Sequence, residues 1–316
     1  MKILYSILLM GISLSVVAQN SQKTSKVSTP NKAQIEAIKN LIIPVRQQVQ
    51  LALQNLDAKM YEAYKKDLEL MDATYDVQQQ KKMATDFKTK YYAFFKQGYT
   101  LAKIDESGFK SKMLSILQLS PSQVQFSEFM NVTSVRAAAA PPLSPPANSN
   151  CVEVKCPLLA QNSTMPNGGG LSNCGCNALS LGADGDRLTA IGAHFDLDDY
   201  RQIYITAMCD YRLSVFTSGN AFGFFSATVG VEVKTPTGFW RIERDAAWAI
   251  AVAGFPVDNQ QIGNSILLQE GFRTTSGNDD YTVQVYTSAS NYLIGKSRAE
   301  ASIDKVHYLK VCQEKY

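Results

Sequence analysis

The chain has 316 residues, with 31 Lys and Arg against 28 Asp and Glu, two histidines and six cysteines. A net charge of +3 over that length excludes the strongly basic surface that a nucleic-acid partner demands. Two histidines leave any histidine-based mechanism only His194 and His307 to work with.

Met1-Lys2-Ile3-Leu4 leads into a short apolar run ending at Val16-Val17-Ala18. One basic residue, a hydrophobic core and a small residue before polar Gln19 form a secretory signal peptide over residues 1–18. The run is shorter than the roughly 20 residues that cross a bilayer. No later stretch supplies a transmembrane segment, so the expectation is an exported protein, secreted or periplasmic. Residues 19–29 are polar and small and read as a disordered tail.

A helical domain is expected over residues 30–135. Thr29-Pro30 supplies an N-cap with proline at the first helical position. Ile35, Ile38, Ile42, Val45, Val49, Ala52 and Leu56 then recur in steps of three and four along one stripe, with Pro44 predicting a kink or a fresh start. The periodicity continues through Met60, Tyr64, Leu68, Met71 and Tyr75, as one long rod or as a hairpin turning near Asp72 to Gln80. The aromatics from Phe87 to Tyr99 share one helical face and read as core. A shorter helix carries Phe109, Met113, Ile116 and Leu117, and another carries Val124, Phe126 and Phe129, giving a bundle or hairpin of helices. Lys81, Lys82, Lys88 and Lys90 form the one real cluster of lysines.

Residues 136–150 are an Ala- and Pro-rich linker with Pro141-Pro142 and Pro145-Pro146, a semi-rigid spacer between two units. Lys and Arg outnumber Asp and Glu by 16 to 11 in residues 19–135, and the balance reverses to 13 against 17 in residues 137–316. Opposite signs favour docking of the two parts, or a polyanionic surface meeting the first; ordinary solvated surfaces are the plainer reading.

Residues 151–316 carry strand signals at Arg187 to Ala193, Arg201 to Met208, Tyr211 to Thr217, Phe222 to Lys234, Gly238 to Glu243, Tyr281 to Thr287 and Ser297 to Lys310. Asp245 to Gly254 fits either a strand or a short helix. Strands apolar on one side and polar on the other need a partner layer. The fold class is therefore α+β and multidomain, a helical domain followed by a disulfide-stapled antiparallel β-sandwich of jelly-roll type.

All six cysteines follow the linker. In an exported chain they read as three disulfides, with Cys151 and Cys156 joined to Cys174 and Cys176, and Cys209 joined to Cys312. Their spacing is not that of a zinc finger.

Candidate chemistry is sparse. Gly168-Gly169-Gly170 lacks the strand-to-helix context of a phosphate loop. Asp184, Asp186, Asp196, Asp198 and Asp199 are the candidate metal ligands, for calcium, with acidic turns as the alternative; no other cofactor is indicated. Glu232 and Glu243 lie on neighbouring strands and are the carboxylate pair an exported carbohydrate-active hydrolase would use. The alternating stretch Phe222 to Val231 would be the inserting hairpin of a membrane-active, pore-forming protein. The reading preferred over both is a non-catalytic, adhesin-like binding protein. Its sandwich recognises a glycan or protein surface through Trp240, Trp248, Tyr281, Tyr286 and Tyr292.

Overall fold

The computed structural model describes residues 30–74, 76–135, 145, 147, 149–156, 160–163, 174–181, 187–197, 202–219, 225–235, 238–263, 279–291 and 298–314. The expected signal peptide and polar tail, and residues 136–144 of the expected linker, lie outside them.

Four α-helices come first: α1 (Lys32–Leu56), α2 (Ala58–Ala73), α3 (Val77–Leu101) and α4 (Glu106–Leu117). The cap of α1 is Asn31 rather than Thr29. Gln34 N–H donates to Asn31 Oδ1, and Gln34 Oε1 accepts from the Asn31 N–H, both at 2.9 Å, satisfying two orphan donors reciprocally. Helix α1 runs through Pro44, with Ile42 and Val45 buried on either side. Of the two alternatives, the long rod is interrupted at Asp57, whose backbone is extended and whose carboxylate caps α2 by accepting from the N–H groups of Lys59 and Met60, and a second break between Ala73 and Val77 falls within the turn expected near Asp72 to Gln80. No helix among the described residues is long and apolar enough to cross a membrane.

The helix expected around Val124 to Phe129 does not form. This stretch folds as 3-10 turns at Pro121–Gln123 and Glu128–Met130 alternating with β1 (Val124–Phe126) and β2 (Val132–Val135). Branched Val124, Val132, Thr133 and Val135 favour extended backbone, and Phe129 and Met130 take left-handed conformations that interrupt any helix.

The remaining strands are β3 (Asn150–Lys155), β4 (Ala160–Ser163), β5 (Cys176–Leu181), β6 (Arg187–Leu197), β7 (Gln202–Thr217), β8 (Phe225–Thr235), β9 (Gly238–Ala249), β10 (Val257–Gly263), β11 (Asp279–Asn291) and β12 (Arg298–Glu314). Sheet I has the order β10-β7-β12-β3, with β5 also paired to β12; sheet II has the order β4-β6-β11-β8-β9, and all pairs are antiparallel. The two sheets bury one shared apolar layer. Ile203, Ile205, Leu213 and Val215 of β7 meet Val229, Val231 and Val233 of β8 and Val283 and Val285 of β11 within it. The ambiguous stretch after Asp245 is strand as far as Ala249.

The helices and the sandwich share two further apolar clusters. Trp248, Ile250 and Val252 pack with Ile38, Ile42, Phe109 and Met113. Phe216 and Phe255 pack with Tyr64, Phe87, Tyr91, Phe95 and Phe129. Polar contacts run along the same seam. Buried Arg46 donates to the carbonyls of Ala251 and Val252, Tyr64 Oη donates to the Gly254 carbonyl at 2.7 Å, and Ser218 Oγ donates to Asp72.

The disulfide pairing differs from the sequence expectation. Cys156 bridges Cys174, across the cluster as expected, but Cys151 bridges Cys312. The register explains the second pair, because β12 sets Cys312 opposite Cys151 of β3 with Cα atoms 4.0 Å apart, while Cys209 of β7 faces Val306. Cys176 and Cys209 lie outside both bridges, buried in the sandwich core. Burial, reinforced by Asp210 and then Cys176, pushes the Cys209 thiol up to about 12.

Candidate functional site

The outward face of sheet II carries the most unusual polar chemistry among the described residues. Since Val231, Val233, Val283 and Val285 point into the shared core, alternation turns Glu232, Lys234, Gln284 and Tyr286 to the other side. Register aligns Ala160, Gly192, Gln284, Glu232 and Arg241 in one row across all five strands. The next row holds Asn162, Ala190, Tyr286, Gly230 and Glu243.

Glu232 is 0% exposed and Gln284 1%. A carboxylate at that depth must be paired and hydrogen-bonded to persist. Arg241 Nε donates to Glu232 Oε2, Gln284 Nε2 donates to Oε1, and Lys234 Nζ stands 3.6 Å from the same carboxylate. The carboxylate thereby fixes the Gln284 amide, because a flipped amide would set oxygen against oxygen. As a consequence Gln284 Oε1 is left buried without a hydrogen-bond partner. Strand β6 supplies no donor in this row. It places Gly192 there, where a Cβ would come 2.5 Å from Gln284 Cβ and 2.3 Å from the Val283 carbonyl oxygen.

Beside this network Tyr286 lies over Gly230, where a Cβ would meet the Ile242 carbonyl oxygen at 2.1 Å and the tyrosine ring at 2.9 Å. The Arg241 guanidinium carbon is 4.6 Å from the Phe239 ring centroid and 5.7 Å from that of Tyr286, within cation–π range of both. Phe239 is 58% exposed, so this ladder of ring, cation and ring opens to solvent at its Phe239 end. Burial, with Glu243 next and Arg241 opposing, raises the Tyr286 hydroxyl well above its ordinary value, so it remains a proton donor at neutral pH.

Of the residues singled out from sequence, Tyr286, Glu232 and Glu243 come together on this face. Glu232 and Glu243 are diagonal neighbours across β8 and β9, and both Glu232 oxygens are engaged. Trp248 and Tyr281 are not with them: Trp248 packs between helices and sandwich, and Tyr281 is in the sandwich core. Trp240 occupies β9 opposite Val233. Tyr292 lies outside the described residues, as do Asp184, Asp186, Asp198 and Asp199; Asp196 is on β6 opposite Asp280. Among the described residues no three His, Cys, Asp or Glu side chains converge as a metal site. His307 pairs with Asp210 at 2.8 Å, and His194 is exposed on β6. The stretch from Phe225 to Val231 is a central strand of sheet II, and residues 222–224 lie outside the described set.

Sequence reading missed Arg241, Lys234 and Gln284. For the first two a signal existed: the strand patterns of β8 and β9 are two residues apart in sequence, and counting outward from the pair Thr235 and Gly238 sets Glu232 opposite Arg241.

No family model matches the chain, and no curated protein matches it. Among solved structures, one of infectious bursal disease virus, Gx strain, is 8% identical, with 60% of this chain and 44% of that one covered and a TM-score of 0.22. TmCBM61, in complex with β-1,4-galactotriose, is 11% identical over 50% of this chain and 86% of that one, with a TM-score of 0.16. The enzymatically active domain of tailspike protein 4 of bacteriophage CBA120 is 10% identical over 51% and 19%, with a TM-score of 0.15. The chain spans less than half the length of the first of these.

Proposed function

We propose that this is an exported, non-catalytic binding protein whose sandwich recognises a glycan on the outward face of sheet II. We read β5 to β12 as a jelly roll, supported by the alternating orders β5-β12-β7-β10 and β6-β11-β8-β9, and α1 to α4 as a bundle packed on it. Export rests on the signal-like leader and is compatible with the two disulfides.

The observation that carries the glycan reading is the Phe239 ring, 58% exposed at the solvent end of the ladder and backed by the Arg241 guanidinium. A sugar can lay its apolar face on that ring while its hydroxyls accept from the half-buried cations Arg241 and Lys234. The engagement of both Glu232 oxygens favours binding over hydrolysis, since neither is available as nucleophile or proton donor.

The test is retention of the full mature chain on immobilised neutral polysaccharides. Binding is expected, weakened about tenfold in Phe239→Ala and weakened also in Lys234→Ala, with no reducing ends released. Absence of retention on every polysaccharide, or retention indifferent to both substitutions, refutes the reading.

A further inference from the structure

A second recessed surface lies on the opposite side of the sandwich, where the outer face of sheet I meets Lys81 of α3. It is an open cleft of about 450 Å³, within the range that holds small ligands. Ala299, Ala301 and Leu213 point into the shared core, so alternation turns Arg212, Glu300 and Ser302 outward into this cleft. The cleft is a joint product of the two halves of the chain, and nothing in the sequence marked it.

Its floor is a set of clamped carboxylates. Asp304 Oδ1 accepts from Arg212 Nη2 at 2.9 Å, Arg212 Nε at 3.3 Å and Ser302 Oγ at 3.2 Å. Three donors on one oxygen fix the carboxylate and leave Oδ2 as an oriented acceptor. Glu300 is held by one donor, with Arg298 Nη2 on Oε2 at 3.0 Å and Oε1 left over. Each carboxylate has its own arginine, so the floor has little net field to attract an ion. It still offers strong acceptors beside strong donors. No aromatic ring is among the described lining residues, which leaves hydrogen bonding rather than stacking as the source of affinity.

We propose that this cleft is a second saccharide site, reading pairs of hydroxyls on a neutral oligosaccharide through Asp304 and Arg212, with Glu300 and Gln260 alongside. A hydroxyl both donates and accepts, so a neighbouring pair can donate a hydrogen bond to the Asp304 oxygen and accept one from the guanidinium. Charged ligands gain little from this floor, because each of its carboxylates is already matched by an arginine, and Lys81 is the one further charge among the described lining residues. Two sites on opposite outer faces would also let one molecule bridge two glycan chains, a consequence that rests on the sheet II reading; the sheet I site does not.

The experiment is isothermal titration of the full mature chain with maltotetraose, cellotetraose and xylotetraose, and with a galacturonate oligomer as the charged comparison. Arg212→Ala and Asp304→Asn are suitable variants because the side chains are 62% and 39% exposed; far-UV circular dichroism confirms their fold. At least one neutral oligosaccharide is expected to bind, weakened about tenfold or more by each variant and unaffected by Phe239→Ala at this site. A stoichiometry of two that falls to one in Arg212→Ala supports both sites. A stoichiometry of one that is lost in Arg212→Ala but kept in Phe239→Ala supports this cleft and sinks the sheet II reading. Absence of binding by all neutral probes, binding indifferent to both cleft variants, or tighter binding of the galacturonate than of any neutral probe overturns the proposal.

Discussion

Replacing Arg46 by methionine tests whether the helices and the sandwich are one cooperative structure. Arg46 is 3% exposed and donates to two carbonyls of the segment following β9, Val252 at 3.1 Å and Ala251. Bonds from a charged donor contribute about 1.5–3 kcal/mol each, so losing both costs about 3–6 kcal/mol. Part of that returns because a buried guanidinium is itself held at a cost, visible in a pKa lowered to about 10, chiefly by burial, with Tyr64 and Asp72 opposing. Methionine fills similar space without charge, which leaves a net loss of about 2–4 kcal/mol. Urea unfolding followed by far-UV ellipticity and by tryptophan fluorescence measures it, with Trp248 reporting from the seam. Both probes are expected to give one coincident transition in the parent and a lower shared midpoint in the variant. A loss below about 0.5 kcal/mol, or separate transitions in the parent, would refute the reasoning.

Gly230→Ala should destabilise by about 1–3 kcal/mol and shift the near-ultraviolet signal of Tyr286, because the added carbon would meet a backbone oxygen at 2.1 Å; an unchanged melting temperature would contradict this. Unfolded, unreduced protein should titrate two sulfhydryls, Cys176 and Cys209, and the native protein none within minutes at pH 8. With its folded pKa raised from 9.0 to about 12, Cys209 contributes stability that is full below pH 9 and is lost as pH rises from 9 to about 12. Alkaline unfolding curves should therefore be shallower in Cys209→Ala. Replacing Cys151 and Cys312 together by serine opens a link between positions 161 apart, costing about 5 kcal/mol in the loop-entropy model. The Cys156 and Cys174 pair, 18 apart, should cost about 3 kcal/mol; differential scanning calorimetry ranks the two, and the reverse order would count against that model.

Periodicity carried the helices well, because Ile35, Ile38, Ile42, Val45 and Val49 line up at helical spacing and are all buried. It could not say what the stripe packs against. The partner of Ile38 and Ile42 includes Trp248, far along the chain, a contact no local pattern encodes. Alternation likewise placed β11 and β12, while short exposed β3 and β10 lack the apolar content that announces a strand. For the candidate site, carboxylates and aromatics were visible as residue types, yet Trp248 and Tyr281 serve packing and Gln284 matters only through its register with Glu232 and Gly192. The bridge between Cys151 and Cys312 was missed for the same reason, since the placement of β3 alongside β12 decides it.

The seam between Arg46, Tyr64 and the segment following β9 also constrains how the protein could be divided. Val132 bonds in both directions with Ile250, and Asn131 Oδ1 accepts from the Val252 N–H, so the last turn of the N-terminal half finishes the backbone pairing of the C-terminal half. A fragment starting after the prolines would bare Phe216, Trp248, Ile250 and Phe255 to water and leave carbonyls at 251, 252 and 254 without donors. Such a piece should clump, and supplying residues 30–135 in trans would be the way to rescue it.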